Sequence, residues 1–360
     1  MFDAAQDHPP FQPIRDTLYR PTELLAEFAD RDPRSIVQSL DFRTFRYFVV
    51  NGRTAPNNAQ AGRMQVLHDC SILRAMWAHL DAARRPAAAI MGGHGEERGS
   101  STYLQVALIA KRLTEDGFLM ASGGGPGCME ATHLGALLAG RSEGELGDVA
   151  GLLGAVPKLP DTRQIVGSDG AVDLDLVAAL HAWWAPAVKV MRRYEQRGGD
   201  SLAIPTWHYG HEPTSPLARH VAKYFLNSIR EDVLLALASA GVVFSPGRAG
   251  TLQEVFQGAA QNCYGHPFAP MVFWDEQFWT EKLPVRPVLE GLFIGLNGMS
   301  KAEFDAKVLI TSDVDEAVAF LRRARPAVAP LNGRFAVRDG GRPMPAAARF
   351  ADVESFALAS

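Results

Sequence analysis

Twice along this chain a short apolar segment runs into a glycine-punctuated turn and continues as a helix, and this pairing restricts the fold more than any other feature. One copy reads Gly241-Val-Val-Phe-Ser-Pro-Gly-Arg-Ala-Gly-Thr-Leu-Gln-Glu254; the other reads Leu119-Met-Ala-Ser-Gly-Gly-Gly-Pro-Gly-Cys-Met-Glu130. A strand that ends in such a turn lets backbone N–H groups converge on an anion at the positive end of the next helix. In the second copy Gly123, Gly124 and Gly125 leave room for a ligand to approach the backbone, and Pro126 suits a first helical turn. Glu254 lies one helical turn beyond Thr251, so both side chains can face one ligand. The same Thr251/Glu254 spacing also fits a capping box, in which the pair only satisfies free N–H groups at a helix start. Two such turns in one domain imply a single nucleotide cradle.

The periodicity of the rest extends the pattern. Strands are expected at 87–91, 118–121, 151–155, 202–205, 241–245, 270–274 and 307–311, with helices at 102–115, 127–139, 217–239, 251–263 and 314–323. Strands alternating with helices predict a parallel sheet covered on both faces, an α/β Rossmann-like doubly wound fold. Residues 156–200, with a helical stretch over 174–193, interrupt this rhythm as an insertion into a domain spanning 86–325. Residues 1–85 are broken by prolines and contain apolar positions at helical spacing between Val66 and Leu80, which predicts a helical N-terminal extension. Residues 326–360, rich in Pro, Ala and Arg, read as a weakly ordered C-terminal tail or a strap over a neighbour.

Composition narrows the function classes. A net charge of −4 over 360 residues argues against binding to nucleic acid, which relies on a strongly basic face. Free nucleotides fit better. Three scattered cysteines, Cys70, Cys128 and Cys263, do not build a disulfide framework and point to a reducing compartment. The N-terminal residues resemble no secretory leader and no run approaches the apolar length of a membrane span, so a cytoplasmic protein without a membrane partner is expected.

In an open parallel sheet, ligands bind beyond the carboxyl ends of the strands. Both Gly-rich turns are expected there, together with Gly92 and Gly93 after the first strand; the plain alternative for that loop is a simple strand-to-helix connection. The 206–213 loop contains Trp207, His208, Tyr209 and His211, a mixture suited to stacking on a base and bonding to its edge. His208 and His211 find no obvious third ligand, so neither a metal nor a cofactor is expected.

The two Gly-rich motifs together resemble the LOG ("Lonely guy") family, whose signatures are a GGGxxGxM turn and a PGGxGTxxE turn. Gly123 to Met129 match the first. The second is matched by Pro246, Gly247, Gly250, Thr251 and Glu254, with Ala249 at its variable position, but Arg248 stands where the family has glycine. The segment Ala87 to His94 is similar to the family's first strand and loop, and the likeness covers roughly residues 86 to 325. It implies a nucleoside 5′-monophosphate phosphoribohydrolase that cuts an N-glycosidic bond to release a free base and ribose 5-phosphate. The older label of lysine decarboxylase finds no support, because no lysine sits in a recognisable pyridoxal phosphate setting.

On this resemblance Glu254 is the expected catalytic carboxylate, near the ribose and the attacking water, and Arg230 holds the phosphate or orients the glutamate. A surface ion pair to Glu231 or Asp232 is the alternative for Arg230. Gly247, Arg248, Ala249, Gly250 and Thr251 are the expected phosphate turn. Gly92, Gly93, Gly123, Gly124, Gly125, Gly127, Met129 and Glu130 form the rest of the nucleotide site, with Trp207, His208 and Tyr209 on the base. Arg248 adds a cation to the turn, at a strain of about 1 kcal/mol or more if φ is positive there. A purine such as AMP is the favoured substrate. The alternative is a non-catalytic nucleotide or molybdenum-cofactor binder of Rossmann-like fold. Aromatic residues from Phe256 to Trp279, which fit core packing equally well taken singly, further predict an exposed patch covered in a homodimer or dimer of dimers.

Overall fold

The computed structural model describes residues 8–207, 213–264 and 268–324. Among the described residues, four helices precede the sheet: α1 (Pro21–Leu24), α2 (Ser35–Gln38), α3 (Leu40–Val50) and α4 (Ala59–Ala83). The alternation then runs β1 (Ala87–Met91), α5 (Ser101–Glu115), β2 (Leu119–Ser122), α6 (Cys128–Leu137), α7 (Glu143–Leu153), α8 (Leu174–Tyr194), β3 (Ser201–Ala203) and β4 (His220–Val221). It continues through α9 (Asn227–Leu237), β5 (Val242–Phe244), α10 (Ala249–Tyr264), β6 (Met271–Trp274), α11 (Arg286–Glu290), α12 (Lys301–Asp305), β7 (Val308–Thr311) and α13 (Val314–Arg323). Many helices begin where a short polar side chain accepts a free N–H: Ser39, Asn58, Ser100, Ser142, Asp173, Ser300 and Asp313 all do so. Each such cap contributes about 1 kcal/mol.

The seven strands form one parallel sheet in the order β4-β3-β2-β1-β5-β6-β7. Its strands are mostly buried on both faces, and alternate residues serve separate cores. Ala87, Ala89 and Met91 of β1 join Phe244 and Phe273 on one side; Ala88 and Ile90 join Val243 and Val272 on the other. That division follows from the two-residue period of a strand. The second core is closed by α5, α6, α7 and α13, while the first is covered by α9, α10 and the N-terminal helices. The Rossmann-like doubly wound architecture is therefore the one the alternation predicts. Among the described residues no helix is long and apolar enough to cross a membrane.

The described part of the N-terminal extension, from residue 8 onward, contributes to this core. Phe11, Tyr19, Phe42, Phe45 and Phe48 share a cluster with Leu202, Val221 and Phe225. Tyr19 also bonds in both directions to Val221, its N–H to the carbonyl at 3.0 Å and its carbonyl to the N–H at 2.9 Å, which covers the edge strand β4.

Two expected elements are different. The strand expected at 151–155 is the end of helix α7, whose buried Leu146, Val149, Ala150 and Leu153 follow helical spacing from the Ser142 cap to Gly154. A short apolar run does not by itself separate a strand from a buried helix. The helix expected over 217–239 begins only at Asn227; before it, His220 and Val221 pair with β3, and Tyr224 bridges to Thr206. The C-terminal tail lies outside the described residues.

Candidate functional site

The chain steps outward from β1 through β2 and β3 to β4, then returns to the other side of β1 as β5. The order therefore reverses between β1 and β5, where a crevice opens at the carboxyl ends of an open sheet. Register brings Met91 beside Phe244, and the loops beyond them are tied together by backbone bonds. Gly93 donates to the carbonyl of Pro246 at 2.9 Å, Ser245 to Met91 at 2.8 Å, and Cys128, at the start of α6, to Gly93 at 3.2 Å.

These close approaches explain the glycines. A Cβ on Gly92 would lie 2.8 Å from Cβ of Ser245; one on Gly127, where φ is +69°, would lie 2.4 Å from the carbonyl oxygen of Gly93. One on Gly247 would lie 2.1 Å from Oγ1 of Thr251, so the turn folds directly onto the buried threonine. The Cys128 thiol, enclosed against Ser245, is pushed up to about 12 by burial, which makes it a packing group and not a nucleophile.

A cleft of about 540 Å³ opens above these loops, within the range of small-molecule sites. Its walls include Gly92, Gly93, Met129, Arg230, Gly247, Arg248, Gly250, Thr251 and Glu254. Arg230, from α9, and Glu254, from α10, approach to 3.7 Å, with side chains 12% and 16% exposed. They are thus screened from bulk water yet open to a ligand. Arg230 also donates through Nε to Oδ1 of Asn227 at 3.2 Å, while Glu231 and Asp232 bond to Asn227, Gln253 and Gln257. Arg248 is exposed at the rim. Among the described residues, positive φ at non-glycine positions falls at Arg53, Arg84 and Asp275, not at Arg248, so the arginine causes no left-handed strain. Because α10 begins at Ala249, Thr251 lies inside its first turn, and the capping-box reading of Thr251 and Glu254 does not hold. Ala249 lies beside the cleft and does not line it.

The other Gly-rich turn has a different task. Gly123, Gly124, Gly125 and Gly127 are buried. Ser122 Oγ donates to the carbonyl of Met129 at 3.0 Å and accepts from the N–H of Gly124 at 3.2 Å. With its one proton so used, it accepts from Nε2 of His133 at 2.8 Å, which leaves Nδ1 to accept from Ser201 Oγ at 3.0 Å. Met129 alone of this motif reaches the first cleft; Gly127 lines an adjoining cavity of about 360 Å³ with Arg98, Trp183 and Lys158.

Two expected contacts are core residues instead. Glu130 is fully buried and takes a bidentate bond from Arg98, both distances 2.6 Å, plus one from the Tyr103 hydroxyl at 3.2 Å. Trp207 is fully buried, stacked on Phe225 with ring centroids 5.7 Å apart and with Lys223 Nζ 4.5 Å above its ring. An aromatic beside a strand end reads the same whether it faces a ligand or the N-terminal helices. His208 and Tyr209 lie outside the described residues, as does His211.

The structure adds groups that motif reading missed. Glu96 and His94 line both cavities, and Glu96 accepts from Ser100 Oγ at 2.5 Å. The acid follows the Gly92–Gly95 loop directly, which is the only signal the sequence offers for it. Phe278 also lines the cleft. The N-terminal helices also serve the site: Asp69 of α4 accepts from the N–H of Phe225 at 2.9 Å and of Leu226 at 2.9 Å. It therefore holds the start of α9, the helix of Arg230, at its positive end.

No protein-family model and no curated protein matches this chain.

Proposed function

We propose that this protein is a hydrolase that cleaves the N-glycosidic bond of a nucleoside 5′-monophosphate, giving a free base and ribose 5-phosphate. The observation that carries this reading is the Arg230–Glu254 pair, 3.7 Å apart, in the wall of a cleft that also contains the start of α10 and lies where the strand order reverses. The likeness to the LOG motifs supports it.

In this reading the phosphate sits against the 247–251 turn, with the helix start and Arg248 supplying positive charge. Glu254 faces the ribose, stabilises positive charge on the anomeric carbon and orients a water. The water oxygen bonds to C1′ as the C1′–N bond breaks, the base takes the electron pair, and a proton follows it. Arg230 aligns Glu254, and Glu96 is a second carboxylate within the same cleft. A purine such as AMP is the first substrate to test, because the adjoining cavities provide more room than a pyrimidine requires. The proposed assembly is a homodimer or dimer of dimers: Phe256 and Tyr264 on α10 are 43% and 93% exposed, whereas Phe273, Trp274 and Trp279 from the same sequence region belong to the core.

Incubation with a panel of nucleoside monophosphates, followed by chromatography, is expected to release base and ribose 5-phosphate in equal amounts. Binding with no cleavage of any member would favour the non-catalytic nucleotide or molybdenum-cofactor binder, and absence of binding would sink both readings.

A further inference from the structure

A separate cluster of metal-ligating groups lies at the opposite end of the sheet from the cleft. Asp200 stands immediately before β3, His220 opens β4, and His79 comes from near the end of α4. Parallel pairing sets Leu202 beside His220, which brings Asp200 to the same amino-terminal edge. Oδ1 of Asp200 lies 3.2 Å from Nε2 of His220, yet it makes no hydrogen bond. The His79 and His220 rings are 4.0 Å apart at their centroids, inclined by 41°. Nε2 of His79 is buried and unpartnered. One donor atom from each of the three residues lies within 4.8 Å of the others.

Buried polar atoms without partners are costly, and two of them, Nε2 of His79 and Oδ1 of Asp200, belong to residues of this one cluster. A single cation bound among the three would offer both a partner. Tetrahedral bonds of about 2.0–2.1 Å set ligand atoms roughly 3.3 Å apart, which the Asp200–His220 separation already matches. The other carboxylate oxygen of Asp200 is taken by Arg85, which leaves Oδ1 directed to the cluster, the kind of outer contact that orients a ligand.

We propose that His79, Asp200 and His220 bind one divalent ion of the zinc type. Two imidazoles and one carboxylate suit zinc and its first-row neighbours, whereas magnesium and calcium prefer oxygen ligands. The ion would fasten α4 to the edge strand β4 and its neighbour β3, away from the proposed chemistry. The three residues are far apart along the chain and carry no motif spacing, so nothing in the sequence marks them.

The test uses the full chain, stripped with a chelator and titrated with zinc chloride by calorimetry, with bound metal counted by mass spectrometry after gel filtration. The expected result is one equivalent of zinc and a melting temperature that rises with zinc. His79→Ala and His220→Ala should each lower affinity by about tenfold or more, and Asp200→Asn, which preserves shape, should do the same should either alanine variant fold poorly. No retained zinc in the wild type, or undiminished binding in the folded variants, would overturn the proposal.

Discussion

Glu254 stands beside Arg230 with 16% of its side chain exposed, so its charge is screened from water but available to whatever enters the cleft. Glu254→Gln preserves size and hydrogen bonding while removing that charge. Turnover is expected to fall about 100-fold or more with nucleotide affinity retained, measured as base release against binding by calorimetry; near-normal turnover would remove Glu254 from the chemistry. Glu130, in the other Gly-rich motif, is governed by different energetics. It is the counter-ion of a buried Arg98, whose guanidinium also lies 3.8 Å from the Trp183 ring centroid and donates to the Trp183 carbonyl at 2.6 Å. Breaking a buried pair leaves an uncompensated charge, at about 3–5 kcal/mol. Glu130→Gln is therefore expected to lower unfolding free energy by that amount in urea titrations, with nucleotide binding of the folded protein unchanged. A variant of normal stability that lost nucleotide binding would return Glu130 to the site.

At the level of elements, α5 and α6 pack backbone against backbone at Gly135. A Cβ added to Gly135 would lie 1.9 Å from the carbonyl oxygen of Ala107 and 2.9 Å from the N–H nitrogen of Lys111. Both obstacles are backbone, which cannot swing aside as a flexible side chain does. Gly135→Ala is expected to cost about 2 kcal/mol or more despite the higher helix propensity of alanine, seen as a lowered melting temperature. Since α6 also carries Met129 to the cleft, weaker nucleotide binding should accompany the loss. An unchanged melting temperature would show that the two helices can separate without penalty. The N-terminal helices act at this same scale: a Tyr19–His68 contact of 2.8 Å and a His68–Asp69 contact of 3.2 Å lead to the carboxylate that holds the start of α9. The extension thus helps to place Arg230.

For the molecule as a whole, His133 couples stability to pH. Burial pushes its imidazole down to about 3, and its bonds to Ser122 and Ser201 join α6 to β2 and β3. Above the unfolded value near 6.5 both states hold it neutral, so its contribution is complete there. Below that value the unfolded chain takes a proton that the folded chain refuses until about pH 3. Stability should therefore fall with pH across this window, by up to about 1.4 kcal/mol per unit from this residue. Urea titrations from pH 7 to about pH 4 should show a steeper decline for the wild type than for His133→Asn, and identical slopes would exclude His133 as the cause.

Apolar periodicity by itself determined the class of fold, because a strand's two-residue period and a helix's 3.6-residue period are local properties of the chain. The parallel sheet and the position of Glu254 one turn past Thr251 were legible for this reason. What local patterning does not contain is the identity of distant partners. Gly-Leu-Leu-Gly-Ala at 151–155 is apolar whether it ends a helix or forms a strand, and only packing against the second core makes it α7. Leu217 to Tyr224 carries helical spacing, yet its pairing with β3 and Tyr19 draws it into the sheet edge. Glu130 and Trp207 resembled ligand contacts because a polar group or an aromatic near a Gly-rich loop looks the same with either neighbour; Arg98 and Phe225, brought from elsewhere in the chain, made them core. The meeting of Arg230 with Glu254, and of His79 with Asp200 and His220, was likewise decided by the tertiary structure, since it joins side chains from separate elements whose approach no local spacing encodes.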